Sequence, residues 1–294
     1  MIPSFPEFAP IALEHKPEVD AVLARLQPLA SEYTFTNLYA WAEAHHSALA
    51  RFGDGLLVCQ EQAGQIVFLQ PLLTEGDAAV TACLVAARRL ERVGEDFLAA
   101  VACGGLSLDI REDRDHFDYV YRVAELIDLR GPKYHDKKNL LQQFRKQYPH
   151  YRYHLMTPEI IERCLAFQHA WCEDRHCEEH DGLLREHCAI RRMLSQFTAL
   201  RLQGGAIEID GRIVALTLGE PLNAETFVIH IEKAWGNITG LYQAIHWEFL
   251  RHAAPDFPYV NREQDLGIPG LRRAKTSYNP VRMIKKYLIE QQEG

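Results

Sequence analysis

No apolar run in this chain approaches the roughly 18 residues that a membrane-spanning helix needs, so no span is expected. The first residues, MIPSFPEFAPIALEHKP, lack a basic stretch followed by an apolar core and do not read as a signal peptide. Cysteines are few: seven in 294 residues, odd in number and without a C-x-x-C pair. A disulfide framework is therefore not expected, and a reduced, cytoplasmic protein is the simplest reading. An excess of basic charge is missing too. The formal net charge is −8, which argues against an indiscriminate nucleic-acid binder. Cys172, His176, Cys177, His180, His187 and Cys188 cluster in sequence, and His176 and His180 are spaced to share a helix face. Their spacing fits no zinc pattern, so no metal is expected.

What is present is enough apolar residue, 47%, for a real core, in a length that suits one large domain or two ordinary ones. Charge is unevenly spread. Residues 130–154 carry seven Lys/Arg against one acid, Asp136, a local +6; residues 270–289 carry six bases and no acid. Two basic islands in an acidic chain point to a polyanionic ligand held at one place.

The chain is organised around Glu225 to Tyr278. Thr226–Lys233 is β-branched and apolar, hence a buried strand. A loop containing Gly236 follows, and Gly240 opens a helix with Leu241, Ala244, Ile245 and Phe249 at helical spacing. Pro255 and Pro258 bar its continuation. Tyr259–Glu263 reads as a second strand and Leu271–Tyr278 as a second helix. Gly236 and Gly240 suit an anion-binding helix entry, or are ordinary turn glycines. His230 and Glu232 alternate onto one strand face, Lys233 follows them as a further donor-binding candidate, and Asn261 and Glu263 share a face of the next strand. If these strands are neighbours, Glu232 or Glu263 is placed to take a proton and Asn261 to hold an acyl oxygen. The structural alternative is an ion-pair network joining those carboxylates to Arg262 or Lys275.

Elsewhere the pattern is mixed α and β. Helices are expected over Pro17–Leu29, Asp77–Val93, Lys137–Tyr148, from Thr157-Pro158-Glu159 to about Trp171, and Leu183–Leu200. Short strands surround the turn at Ala63-Gly64, and Phe117–Val123 is another. Asp210-Gly211 joins two alternating strands through a type I′ turn. Lys133, Lys137 and Lys138, with Tyr134 and Asn139, sit at a helix start, where positive charge opposes the helix dipole. That cost points to a ligand, or else to a solvated charged face. A break near Leu126–Gly131 divides the chain into domains 1–128 and 129–294, with the polar constellation in the second.

The segments HIEKAWGNITGLYQAIHWEFL, YVNREQDLGIPGLRRAKTSY and KYHDKKNLLQQFRKQYP resemble the C-terminal catalytic domain of phosphatidylglycerol lysyltransferases and its uncharacterised stand-alone relatives. The resemblance implies an α/β (α+β) architecture: two tandem acyl-CoA N-acyltransferase-like domains, each a mixed sheet flanked by helices, the first non-catalytic. It also implies an aminoacyl-tRNA donor, as in the peptidoglycan-bridge aminoacyltransferases. Asn237 and Tyr242 stand where acetyltransferases of this fold carry the outer residues of their pyrophosphate loop, and Tyr242 crowds a position that should be small.

The reading is thus an acyl- or aminoacyltransferase that moves an acyl group from aminoacyl-tRNA or acyl-CoA to an amine or hydroxyl. Glu232 or Glu263 takes the proton, directly or through a water, Asn261 holds the oxygen, and Tyr278 protonates the leaving group. Lys133, Lys137, Lys138, Arg262 and Lys275 meet the donor phosphates, such as the acceptor end of a charged tRNA. No bound cofactor is required. The rival is a non-catalytic nucleotide- or RNA-binding module on the same fold.

Overall fold

The computed structural model describes the chain apart from residues 63, 75, 101–106, 293 and 294, so Ala63 of the expected turn and Cys103 lie outside the described residues. The chain divides into two compact units, the first made of Met1–Asp118, Gln264–Pro269 and Met283–Gly294, the second of Tyr119–Glu263 and Gly270–Arg282.

Strands β1 (Ala9–Pro10), β2 (Ala48–Phe52), β3 (Gly55–Gln62), β4 (Gln65–Leu69), β5 (Arg89–Gly94) and β6 (Leu108–Glu112) alternate with helices α1 (Lys16–Leu26), α2 (Phe35–Ala40), α3 (Asp77–Ala87) and α4 (Glu95–Ala100). Next come β7 (Asp118–Arg122), α5 (Val123–Asp128), α6 (His135–Gln147), β8 (Arg152–Leu155), α7 (Pro158–Asp174), α8 (Asp181–Ser195) and the single turn α9 (Phe197–Leu200). The last elements are β9 (Gln203–Ile209), β10 (Arg212–Pro221), β11 (Thr226–Ala234), α10 (Leu241–Ala253), β12 (Tyr259–Asn261), α11 (Pro269–Thr276), β13 (Arg282–Ile284) and β14 (Lys286–Gln291).

The first unit's sheet has the order β1-β2-β3-β4-β5-β14-β6. Its core forms where Val80, Cys83 and Leu84 of α3 meet Leu57, Phe68, Leu90, Val93 and Ile289 from the strands. Each such fully buried side chain is worth about 1.5–3 kcal/mol. The expected helix over Asp77–Val93 stops at Ala87, because Arg88 turns left-handed (φ 60°) and the chain continues as β5. Leu90 fitted the helical spacing, but it is a wholly buried strand position.

The second sheet has the order β13-β7-β12-β11-β10-β9-β8. Local chemistry accounts for its clearest elements. Asp210 (φ 49°) and Gly211 (φ 79°) supply the two positive φ values of a I′ turn between β9 and β10. The Thr157 hydroxyl accepts from Ile160 N at 3.3 Å and Pro158 occupies the first position, which starts α7. α10 packs on β9, β10 and β11 and against α5 and α6. Strands β11 and β12 run parallel, but their pairing ends at Val228↔Asn261, whereas β11 continues to Ala234. Beyond that point Glu232 of β11 meets Arg262 through its side chain.

The sequence boundary near residue 128 marks a helix end only. α5 belongs to the second unit, where Trp247 Nε1 donates to Ile127 O at 2.8 Å, and the compact units part at Asp118. The chain then returns to the first unit twice, which no composition shift announces.

Candidate functional site

Alternation along β11 sends His230 and Glu232 to the face covered by α10. Lys233 faces the other way, donating to Glu186 at 2.6 Å with its ammonium 4.1 Å from the Trp171 ring centroid. It therefore does not join the site assigned to it from sequence.

Glu232 lies at the centre of the first cluster. One carboxylate oxygen is 2.7 Å from His246 Nδ1, and the other accepts from Arg262 Nη2 at 2.6 Å. Tyr278 packs against both partners: its ring centroid is 5.3 Å from the His246 ring and 4.7 Å from the Arg262 guanidinium carbon. Lys137 places its ammonium 4.4 Å from the Tyr278 ring centroid. Lys275 donates to the Arg262 carbonyl. Tyr121, behind Arg262, gives its hydroxyl to Lys275 O at 2.8 Å.

Burial pushes the Glu232 carboxyl up, but Arg262 and His246 outweigh it and hold it at about 2. Burial and Arg262 together push His246 down against the opposing pull of Glu232. Burial lifts the Tyr278 hydroxyl to about 12. Glu232 is thus a fixed anion and a poor base, and its neighbour is a neutral imidazole. Three buried atoms of this cluster, His246 Nε2, Arg262 Nε and Arg262 Nη1, have no hydrogen-bond partner among the described residues. Leaving such groups unmatched costs about 1–3 kcal/mol each, so the arrangement suits a guest with acceptor and donor atoms.

The second cluster is adjacent on the same face. His230 lies between two carboxylates, with Nδ1 2.8 Å from Glu263 and Nε2 3.0 Å from Glu220. Burial pushes its pKa down, but the carboxylates prevail and raise it to about 9. Such a group stabilises the fold fully below the ordinary histidine value of 6.5, and its contribution is lost as the pH rises through about 9. We expect the second unit's thermal midpoint to fall between pH 7 and 9.5, and His230→Gln to flatten that dependence. An equally steep fall in the variant would show that other groups cause it.

Several expected positions lie elsewhere or serve other ends. Asn261 and Glu263 do not share a strand face, since β12 stops at Asn261 and Glu263 is left-handed (φ 56°). Asn261 Oδ1 instead accepts from Glu263 N at 2.8 Å, fixing the turn that aims Glu263 at His230. Lys133 and the Tyr134 hydroxyl both bond Glu125 of α5, at 2.6 and 2.9 Å. Lys138 is exposed on α6 and Asn139 half-buried. Gly240 is spent on packing: a Cβ there would meet Leu140 O at 2.1 Å. Gly236 is more open: among the described residues a Cβ there would come near only the Arg175 guanidinium.

The basic islands meet only in part. Lys137 and Lys275 both converge on Arg262 and Tyr278, but Lys286 is fully buried in the first unit and Lys285 pairs there with Glu112. Cysteine usage also differs from expectation, because Cys172 is bonded to Cys177. His176 is left-handed (φ 49°) beyond the end of α7, so it shares no helix face with His180. Among the described residues no group of His, Cys, Asp and Glu forms a metal site, and no helix is long and apolar enough to cross a membrane.

Sequence reasoning missed His246, Glu220 and Tyr121. The available signal for His246 was an imidazole in α10 beside Ala244, Ile245 and Phe249, all buried.

The fold recurs in known proteins. A Bacteroides thetaiotaomicron structure of unknown function is 32% identical over 99% of this chain and 100% of its own, with a TM-score of 0.90. The C-terminal domain assigned to a lysylphosphatidylglycerol synthetase of Agrobacterium fabrum is 12% identical, covers 96% of this chain and 92% of its own, and has a TM-score of 0.67; at that identity it shows the fold alone. An uncharacterised Mycoplasmoides gallisepticum protein is 24% identical over 183 residues, 59% of this chain, which spans 56% of that relative. Two mixed sheets flanked by helices match the tandem α/β architecture that the sequence resemblance implies, and the Agrobacterium structure shares that fold. Residues 23–290 match the model of the family described as phosphatidylglycerol lysyltransferase, C-terminal. With nearly its whole length inside that match, the chain belongs to the phosphatidylglycerol lysyltransferase C-terminal family and is a transferase of the acyl and aminoacyl class.

Proposed function

We propose that the second unit transfers an aminoacyl group from an ester donor, the acceptor end of a charged tRNA, to an amine or hydroxyl. The observation that carries this reading is the Arg262 guanidinium, whose buried Nε and Nη1 have no acceptor among the described residues while Nη2 is anchored on Glu232. Preorganised donors of this kind stabilise a carbonyl oxygen as it becomes negative, and losing one costs about 10²–10³ in turnover. Lys137 and Lys275, converging on the same residues, suit the donor phosphates. An acyl-CoA donor is disfavoured, because Gly240 is already closed by the α6 backbone and gives a diphosphate no backbone cradle. Cytoplasmic location would follow from such a donor.

The test is consumption of donor. Total charged tRNA should be deacylated in the presence of ethanolamine, which carries both an amine and a hydroxyl, while an acyl-CoA pool is not consumed. Lys137→Ala should shallow the salt dependence of tRNA binding by about one contact, roughly 0.7–0.9 in the log–log slope. RNA binding without any deacylation would replace this reading with a binding module.

A further inference from the structure

We infer that His246, oriented by Glu232, is the proton acceptor of this site, and that Glu232 is its positioning residue; the inference rests on the transfer reading above. Sequence alone gave the base role to Glu232 or Glu263. Both are committed to other partners: Glu232 uses one oxygen for His246 and the other for Arg262, and Glu263 bonds His230.

A neutral imidazole bonded to a carboxylate through Nδ1 carries its proton there and presents a lone pair at Nε2. That atom is buried and has no partner among the described residues, as do Arg262 Nε and Nη1, held on the other oxygen of the same carboxylate. Thr217 adds a fourth buried atom without a partner among the described residues, its hydroxyl oxygen. It pairs directly with Glu232 across β10 and β11, so its side chain stands on the same face about 5 Å away. Proton acceptor, carbonyl-oxygen donors and a hydroxyl therefore gather around one carboxylate.

The step balances without a co-reactant. The acceptor nitrogen or oxygen attacks the ester carbonyl carbon, and its proton passes to Nε2. The carbonyl electron pair moves onto oxygen and is met by the Arg262 N–H groups. When the intermediate collapses, the bond to the donor's ribose oxygen breaks, and that oxygen takes the proton back from Nε2. The imidazole ends neutral, as it began.

The groups facing His246 are Glu232 of β11, Arg262 after β12, Lys137 of α6 and Tyr278 after α11. Two cations against one anion, with burial, push the imidazole below its ordinary 6.5, so it is unprotonated at neutral pH.

Two measurements decide the matter. Long-range nitrogen NMR of the wild-type protein should show His246 as the Nδ1–H tautomer at pH 7.5. Deacylation of charged tRNA with ethanolamine should have an acid limb below pH 6.5. His246→Gln should lower kcat by about 10²–10⁴ with the donor KM within about twofold. Glu232→Gln should lower kcat and move the acid limb to lower pH, because the carboxylate opposes the depression of the imidazole. That shift and the wild-type spectrum remain readable if His246→Gln fails to fold. An imidazolium or Nε2–H tautomer at pH 7.5, or an active His246→Gln protein, overturns the inference alone. A wild-type protein that consumes no donor overturns the transfer reading first, and the base role with it.

Discussion

Replacing Lys286 with alanine should cost the first unit about 3–5 kcal/mol, a large share of the stability of an ordinary domain. The side chain is wholly buried, as is that of Asp118. Its ammonium bonds Asp118 at 2.6 Å and both oxygens of Glu32, at 2.8 and 2.6 Å. Asp118 also accepts from the Ser31 amide and hydroxyl, at 2.7 and 2.9 Å. Truncating the lysine takes the shared cation from both carboxylates, with Arg92 still beside Glu32, and a buried ion that has lost its pair costs more than the pair contributed. Restoring volume with Lys286→Met should recover little. Adding Glu32→Gln and Asp118→Asn to that methionine should recover more, because the uncompensated charge is then gone.

The same cluster predicts an acid response. Burial pushes the Glu32 carboxyl up, but Lys286 and Arg92 outweigh it and hold it below its ordinary range. Its contribution is complete above the ordinary carboxylate value and is lost as the pH falls through the lowered one. Lys286→Ala should erase that acid dependence. Urea unfolding from pH 3 to 7 checks both points, and a loss under 1 kcal/mol at pH 7 would refute the account.

Lys286 also shows where reading the chain alone stops. In sequence it is one of six bases in an island without acids, and a solvated or ligand-binding role follows naturally. Only the return of β14 to the first sheet puts it beside Glu32 and Asp118, residues 254 and 168 positions away. Short-range signals fared better: the Asp210-Gly211 turn, the Thr157 cap and the strand at Thr226 depend on neighbours within a few residues. Glu232 was legible as a member of the candidate site because alternation alone aims it with His230. Its role was not, because the deciding partner, His246, comes from a helix whose packing on β11 no local pattern encodes. The Asn261–Glu263 pairing failed for a related reason. Two residues of alternation were read past the point where Asn261 bends the chain by bonding the Glu263 amide.

Gly240→Ala should destabilise the second unit by about 2–5 kcal/mol. Its φ of 79° costs an L-residue about 1–2 kcal/mol. The new Cβ would also lie 2.1 Å from Leu140 O and 2.9 Å from Phe144 Cβ. A helix backbone cannot yield as a side-chain tip can, so α10 must move off α6, an overpacking cost of about 1–3 kcal/mol. Gly236, four residues earlier in the same loop, makes the contrast. Among the described residues its added Cβ meets only Arg175 Nη2, at 3.2 Å, and Gly236→Ala should cost under about 1 kcal/mol. A phosphate-cradling loop would behave otherwise, with both substitutions weakening tRNA binding and neither strongly affecting unfolding. Denaturant midpoints and tRNA titrations on the two variants separate these outcomes.

The position of β14 bears on the order of events during synthesis. It lies between β5 and β6, in the interior of a sheet whose other strands are all made before residue 113. While the ribosome adds the next 170 or so residues (286 − 112 = 174), that sheet has a slot where a strand belongs, bordered by two open edges. Open edges template pairing with other chains. The first unit is thus completed only after the second has been made, and the nascent sheet carries an open slot until β14 arrives to fill it.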